Sequence, residues 1–192
     1  MEQIRSFIAI ELPEDLKLSL TRLQERLKSE SRAPVKWVNP NNMHLTLKFL
    51  GNIDAGVTGK ITSALEEAVR GTRPFHLEIK GLGVFPNPRR VNIVWVGITG
   101  EVNQLDQLQK RVESSLTPLG FVPESRPFTP HLTLARLRDQ ATPDERLNLG
   151  QLIANTEFDA NCNLYINSVH LVRSQLTREG PFYSHISSIE IT

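Results

Sequence analysis

Two tetrapeptides carry the chemistry in this chain: His44-Leu45-Thr46-Leu47 and His131-Leu132-Thr133-Leu134 are identical and lie 87 positions apart. In an extended strand residues i and i+2 share a face, about 6 to 7 Å apart, so each imidazole stands beside a threonine hydroxyl while the leucines point the other way. If the two polar faces meet across a groove, the groove holds two imidazoles and two hydroxyls, a phosphoryl-transfer constellation. Opening a phosphodiester without a metal requires one group to take a proton from water. Another must give one to the departing oxygen, in line on the opposite side of phosphorus. Imidazole, with a pKa of about 6.5, suits both tasks near neutral pH. Threonine hydroxyls would donate to the non-bridging oxygens, where charge grows in the transition state.

Other chemistries find less support. Zinc sites need three or four protein ligands, and the chain has neither an HExxH motif nor a cysteine pair; His76, His170 and His185 fit no ligand spacing. Gly81-Leu82-Gly83 is too short for a phosphate-binding P-loop, and no GxSxG elbow is present. A duplicated β-α element kept only for packing is the plainest alternative, with histidines that never meet. Packing alone, however, does not require imidazole and hydroxyl on the polar face.

The elements that must position these residues are well signalled. A strand is expected over 6–12, apolar on both faces and so central. Pro13 then opens a helix whose Leu16, Leu20, Leu23 and Leu27 form one stripe, ending before Pro34. Helices are also expected over 54–70, with Asp54 as cap and Ile61, Ala64, Leu65 and Ala68 inward, and over 101–116, with Leu105, Leu108, Val112 and Leu116 inward. Thr142, Pro143 and Glu145 form a capping box that announces a fourth, running towards Ala154. Strand candidates fall at 35–38, 44–50, 75–82, 91–98, 131–137, 158–176 and 182–191, with Pro86-Asn87-Pro88 as a tight turn. Several strands follow one another directly, which favours an α+β fold with largely antiparallel sheets over a doubly wound one.

Composition fits a soluble globular chain. Its 192 residues carry 22 Lys plus Arg against 21 Asp plus Glu, a formal charge of +1, so any nucleic-acid contact is local rather than a duplex-wide basic face. The lone Cys162 fits a reducing compartment, and neither a signal-peptide order nor a membrane-length apolar run is visible. A cytoplasmic protein is expected.

RSFIAIELP at 5–13, KWVNPNNMHLTLKFLGN at 36–52, GLGVFPNPRR at 81–90 and RPFTPHLTLAR at 126–136 resemble, in order and spacing, the 2H phosphoesterase superfamily and within it the RNA 2′,3′-cyclic phosphodiesterases, also called 2′-5′ RNA ligases. The resemblance covers about the first three quarters of the chain; residues 161–192, including Tyr165 and His170, read as structural strands. It implies one bilobal α+β domain over 1–192 with internal pseudo-twofold duplication, in which two sheets flank a central cleft and the helices lie outside. It further implies His44 as proton donor to the leaving oxygen, His131 as the base that activates water, and Thr46 and Thr133 as phosphate-binding residues. The implied partners are RNA ends or nucleoside 2′,3′-cyclic phosphates, with no metal, no cofactor and no membrane, and a monomer is expected. Reversal, with an RNA 5′-hydroxyl in place of water, would give 2′-5′ joining. A noncatalytic nucleotide- or RNA-end-binding module is the alternative.

Strand parity extends the candidate list. Lys48 lies two residues beyond Thr46, so an unbroken strand aims it at the phosphate or the cleft rim. Arg136 has the opposite parity, which makes it a structural ion pair unless a bulge re-aims it. Arg89 and Arg90, at the turn after Phe85, are candidates for RNA phosphates or simply a solvated tip. Phe49 and Phe128 are candidates for stacking on a base. Trp37 and Trp95 are read as packing.

Overall fold

Leu16, Leu20, Leu23 and Leu27 are all buried along one face of the first helix, α1 (Glu14–Glu30), as their spacing of four, three and four demands. The computed structural model describes residues 2–192. Three further helices follow: α2 (Thr58–Val69), α3 (Val102–Leu116) and α4 (Pro143–Ala154). The capping box of α4 is present, with Thr142 and Glu145 exchanging bonds of 2.8 and 3.2 Å. Asp54 caps a short 3₁₀ turn at Ala55–Val57 instead of α2 itself, so that helix starts four residues later than expected.

Among the described residues nine strands form two sheets: β1 (Gln3–Glu11), β2 (Val35–Trp37), β3 (His44–Asp54), β4 (Phe75–Phe85), β5 (Ile93–Gly100), β6 (His131–Leu137), β7 (Asp159–Ile166), β8 (Ser168–Thr177) and β9 (Gly180–Glu190). The stretch expected at 158–176 is thus two strands, divided at Asn167. One sheet has the order β3-β1-β8-β9 and the other β2-β6-β5-β4-β7, and every pairing is antiparallel. The fold is α+β. Helices α2 and α3 pack against the first sheet, through β9 and β3, and α1 and α4 against the second, through β7 and β4. Each sheet therefore buries one face and leaves the other to the site. Among the described residues, no helix is long and apolar enough to cross a membrane.

The sheets meet where β2 leads into β3. The chain leaves β2 on the second sheet, turns through Pro40–Asn42, and enters β3 on the first, directly at His44. The Val38 N–H donates to the Leu134 carbonyl of β6 at 2.9 Å. Buried Gln24, on α1, donates to both the Val38 and Leu134 carbonyls, at 2.7 and 3.1 Å. These bonds fasten the chain that leaves β2 to motif strand β6.

Candidate active site

Each histidine is the first residue of its strand and is oriented in the same way. His44 Nδ1 lies 2.8 Å from the Asn42 carbonyl, and His131 Nδ1 lies 2.7 Å from the Thr129 carbonyl, in both cases two residues back. A carbonyl only accepts, so Nδ1 carries the hydrogen and Nε2 is the atom free to exchange a proton. The Asn42 side chain also donates to the Pro181 carbonyl at 3.0 Å, tying the His44 turn to β9. Thr46 and Thr133 follow on the faces that carry the histidines, paired across the sheets with Ala9 and Trp95.

Aromatic walls flank both imidazoles. His44 stacks on Phe7 with ring centroids 4.5 Å apart and meets Tyr183 edge-on at 5.2 Å. His131 meets Phe85 edge-on at 5.1 Å, with Trp95 at 6.4 Å. Burial holds the His44 pKa below the ordinary imidazole value, against the opposing pull of its bond to Asn42. Phe7, Ala9 and Val172, with Tyr183 against them, form a small apolar cluster separate from the main core, and this cluster floors the face that carries His44.

An identical irregularity follows each motif. In β3, Thr46 pairs with Ala9 and Lys48 with Ile8, so Leu47 is the extra residue; in β6, Thr133 pairs with Trp95 and Ala135 with Val94, so Leu134 is the extra one. A bulge of this kind reverses side-chain parity beyond it. Each extra carbonyl is met by a glutamine from the helix packed on its own sheet. Gln24 of α1 bonds Leu134 in β6, and Gln109 of α3, also buried, bonds Leu47 in β3 at 3.5 Å.

The reversed parity corrects the expectation for Lys48. It turns away from the phosphate side, 7% exposed, and its Nζ lies 2.6 Å from Glu113 Oε2 on α3 and donates to the Val122 carbonyl at 3.0 Å. Phe49 takes the place expected of Lys48, on the face of His44, beside Phe7 at 6.1 Å and 70% exposed. The matching residue in β6 is Arg136. It is exposed, and its charge together with that of Arg5 opposes the upward push of burial on the Tyr183 pKa. Tyr183 and Arg5 belong to the first sheet and Arg136 to the second, so one hydroxyl feels a guanidinium from each side.

The remaining candidates divide. Phe128 is half-buried and packs against the main core. Arg89 and Arg90 are exposed at the β4–β5 turn, their N–H groups donating to Asn87 Oδ1. Trp37 packs on the core beneath Lys28, but Trp95 lines the site beside His131. The indole lies over Gly83, where a Cβ would come within 2.1 Å of it. Phe7, Phe85, Trp95 and Tyr183 are the site-lining residues that parity and motif spacing overlook. His170 and His185, which fit no ligand spacing along the chain, lie together with Glu11 on neighbouring strands.

Two antiparallel sheets that each present a strand beginning His-Leu-Thr-Leu, with both Nε2 atoms free, define a two-histidine phosphoesterase arrangement. The chain belongs to the LigT-like phosphoesterase family, whose model matches it twice, over residues 10–95 and 96–183, one motif in each. It is 37% identical over 182 residues to the RNA 2′,3′-cyclic phosphodiesterase of Methanothermobacter thermautotrophicus, covering 95% of this chain and 96% of that one. The enzyme of the same description from Aeropyrum pernix is 34% identical, over 89% and 94% of the two chains. Among solved structures, E. coli LigT complexed with 3′-AMP superposes with a TM-score of 0.76 at 25% identity, covering 100% of this chain and 99% of that one. The apo form of E. coli LigT gives 0.78 at 24% identity, over 100% and 99%.

Proposed function

We propose that this chain hydrolyses RNA-terminal 2′,3′-cyclic phosphates to 2′-phosphates, with His44 as proton donor and His131 as base. The observation that carries this reading is the matched anchoring of both imidazoles through Nδ1, which leaves each Nε2 to exchange a proton. The kinship with RNA 2′,3′-cyclic phosphodiesterases supports the substrate class.

In this mechanism Thr46 and Thr133 donate to the non-bridging oxygens. His131 Nε2 takes a proton from water as its oxygen attacks phosphorus, the bond to O3′ breaks, and His44 Nε2–H protonates that oxygen. Each transfer supplies about 10²- to 10⁴-fold. Burial alone favours neutral His44, the wrong form for a donor. The negative diester beside it acts in the opposite direction and restores the imidazolium when substrate binds. Arg136 offers charge to the transition state, Phe49 an open face for a base, and Arg89 and Arg90 contacts for phosphates of a longer RNA. An RNA 5′-hydroxyl in place of water gives 2′-5′ joining. We take the whole chain as one bilobal unit of two related halves, each supplying a motif and the bulge after it, and place it in the cytoplasm, where a lone thiol stays reduced.

The test is incubation of the pure protein with each nucleoside 2′,3′-cyclic phosphate in EDTA. The 2′-phosphate is the expected product, and His44→Ala and His131→Ala should each lose at least about 10²-fold in turnover. No product with any of the four, or a 3′-phosphate, overturns the reading.

A further inference from the structure

On the face of the first sheet that carries His44, a second constellation has no part in the reaction above. Glu11 ends β1, opposite His44; His170 lies on β8 and His185 on β9. The two imidazoles are stacked, with centroids 4.3 Å apart and planes 19° from parallel. Both present Nε2 to one carboxylate: His185 Nε2 is 2.7 Å from Glu11 Oε1, and His170 Nε2 is 4.0 Å from Glu11 Oε2. One donor atom from each of the three residues can be chosen so that all lie within 4.8 Å of one another.

The surroundings orient the rings. Ser188 Oγ lies 2.9 Å from His170 Nδ1 and 3.4 Å from His185 Nδ1, so one hydroxyl engages both Nδ1 atoms. Ser168 Oγ, at 3.1 Å, is the present partner of His170 Nε2. A hydrogen bond to the ring nitrogen opposite the ligating one is the usual support of a metal-bound histidine. The carboxylate makes the cluster a poor host for phosphate, whereas two neutral imidazoles and one carboxylate suit a borderline cation.

We propose that Glu11, His170 and His185 form a binding site for a divalent transition-metal cation of the Zn²⁺ class, with at least one coordination position open. Tetrahedral zinc with bonds of about 2.0–2.1 Å sets its donors about 3.3–3.4 Å apart. The Glu11 contacts, at 2.7 and 4.0 Å, lie on either side of that spacing. Glu11 is exposed, so a small side-chain rotation evens them out. The ion joins β1, β8 and β9. It thereby fixes the strand on which Tyr183, two residues before His185, reaches His44. Its binding does not depend on turnover of any RNA.

The experiment is titration of EDTA-stripped full-length protein with ZnCl₂ by calorimetry, alongside thermal unfolding with and without zinc. One ion per chain is expected, with a rise in Tm that saturates at one equivalent. His185→Gln should abolish both effects while leaving the circular dichroism unchanged; Ser188→Ala should bind about 10- to 100-fold more weakly. The His44→Gln/His131→Gln double variant, which removes the other pair of imidazoles, should bind as the wild type does. The proposal is overturned by the absence of stoichiometric binding at micromolar zinc, by undiminished binding in His185→Gln, or by loss of binding in the double variant.

Discussion

Gln24→Met tests how α1 braces motif strand β6 and the chain that leaves β2 beside it. Methionine keeps the length of the side chain but removes both bonds from the amide, at 2.7 Å to the Val38 carbonyl and 3.1 Å to the Leu134 carbonyl. The two losses are unequal. Leu134 keeps the Val38 N–H as a donor at 2.9 Å, so that bond costs about 0.5–1.5 kcal/mol, whereas the Val38 carbonyl loses its partner at about 1–3 kcal/mol. Together they amount to about 1.5–4.5 kcal/mol. For a chain of this size 1 kcal/mol corresponds to about 2–4 °C, so Tm should fall by about 3–18 °C. Thermal unfolding of the variant beside Gln109→Met measures it. The latter removes a longer bond to Leu47, at 3.5 Å, and one to Glu113 at 3.2 Å, and should lose less. At 20 °C, with both variants folded, Gln24→Met should lower kcat more than it raises KM, since Gln24 braces the bulge that follows Thr133 in β6. A Tm within about 2 °C of wild type would refute the reasoning.

Three further outcomes follow. His44 and His170 both have depressed pKa values in the folded chain, so the unfolded chain binds more protons below about pH 6.5. Stability should therefore fall as the pH drops through that value towards the folded ones, and urea unfolding at a series of pH values should show His170→Gln to have a shallower dependence; an unchanged slope would contradict this. Lys48→Met leaves Glu113 without its cation and should cost about 3 kcal/mol in urea unfolding with KM for a cyclic phosphate unchanged, whereas a tenfold rise in KM would return Lys48 to the substrate. Gly83→Ala drives a methyl into the Trp95 indole, so tryptophan fluorescence in a Trp37→Phe background should shift and stability fall by about 1–3 kcal/mol; unchanged emission would mean that Trp95 does not lie there.

The sequence discloses what is local and periodic. The leucine stripe of α1, the capping box of α4 and the i, i+2 placement of each His with its Thr all depend on residues within a few positions of one another. Parity arguments stop working at Leu47 and Leu134, because nothing in either tetrapeptide marks the residue that bulges. As a result Lys48 and Phe49 exchange faces, and Arg136 comes round to the side of His131. A clue did exist in buried Gln24 and Gln109, polar residues on otherwise apolar helix faces that meet the extra carbonyls. Tyr183 beside His44, and Glu11 with His170 and His185, were beyond reach for another reason. Strand order β3-β1-β8-β9 joins the two ends of the chain, and no spacing along the sequence encodes that order.

The assignment of acid and base is tested most directly by replacing the departing O3′ of the cyclic phosphate with sulfur. A thiolate leaves without protonation, so a variant that lacks only the proton donor recovers, whereas one that lacks the base does not. Single-turnover rates of His44→Ala and His131→Ala on the oxygen and sulfur substrates give the answer. His44→Ala should regain at least about 10²-fold relative to wild type and His131→Ala should regain nothing. Equal behaviour of the two variants, or recovery in His131→Ala alone, would contradict the assignment.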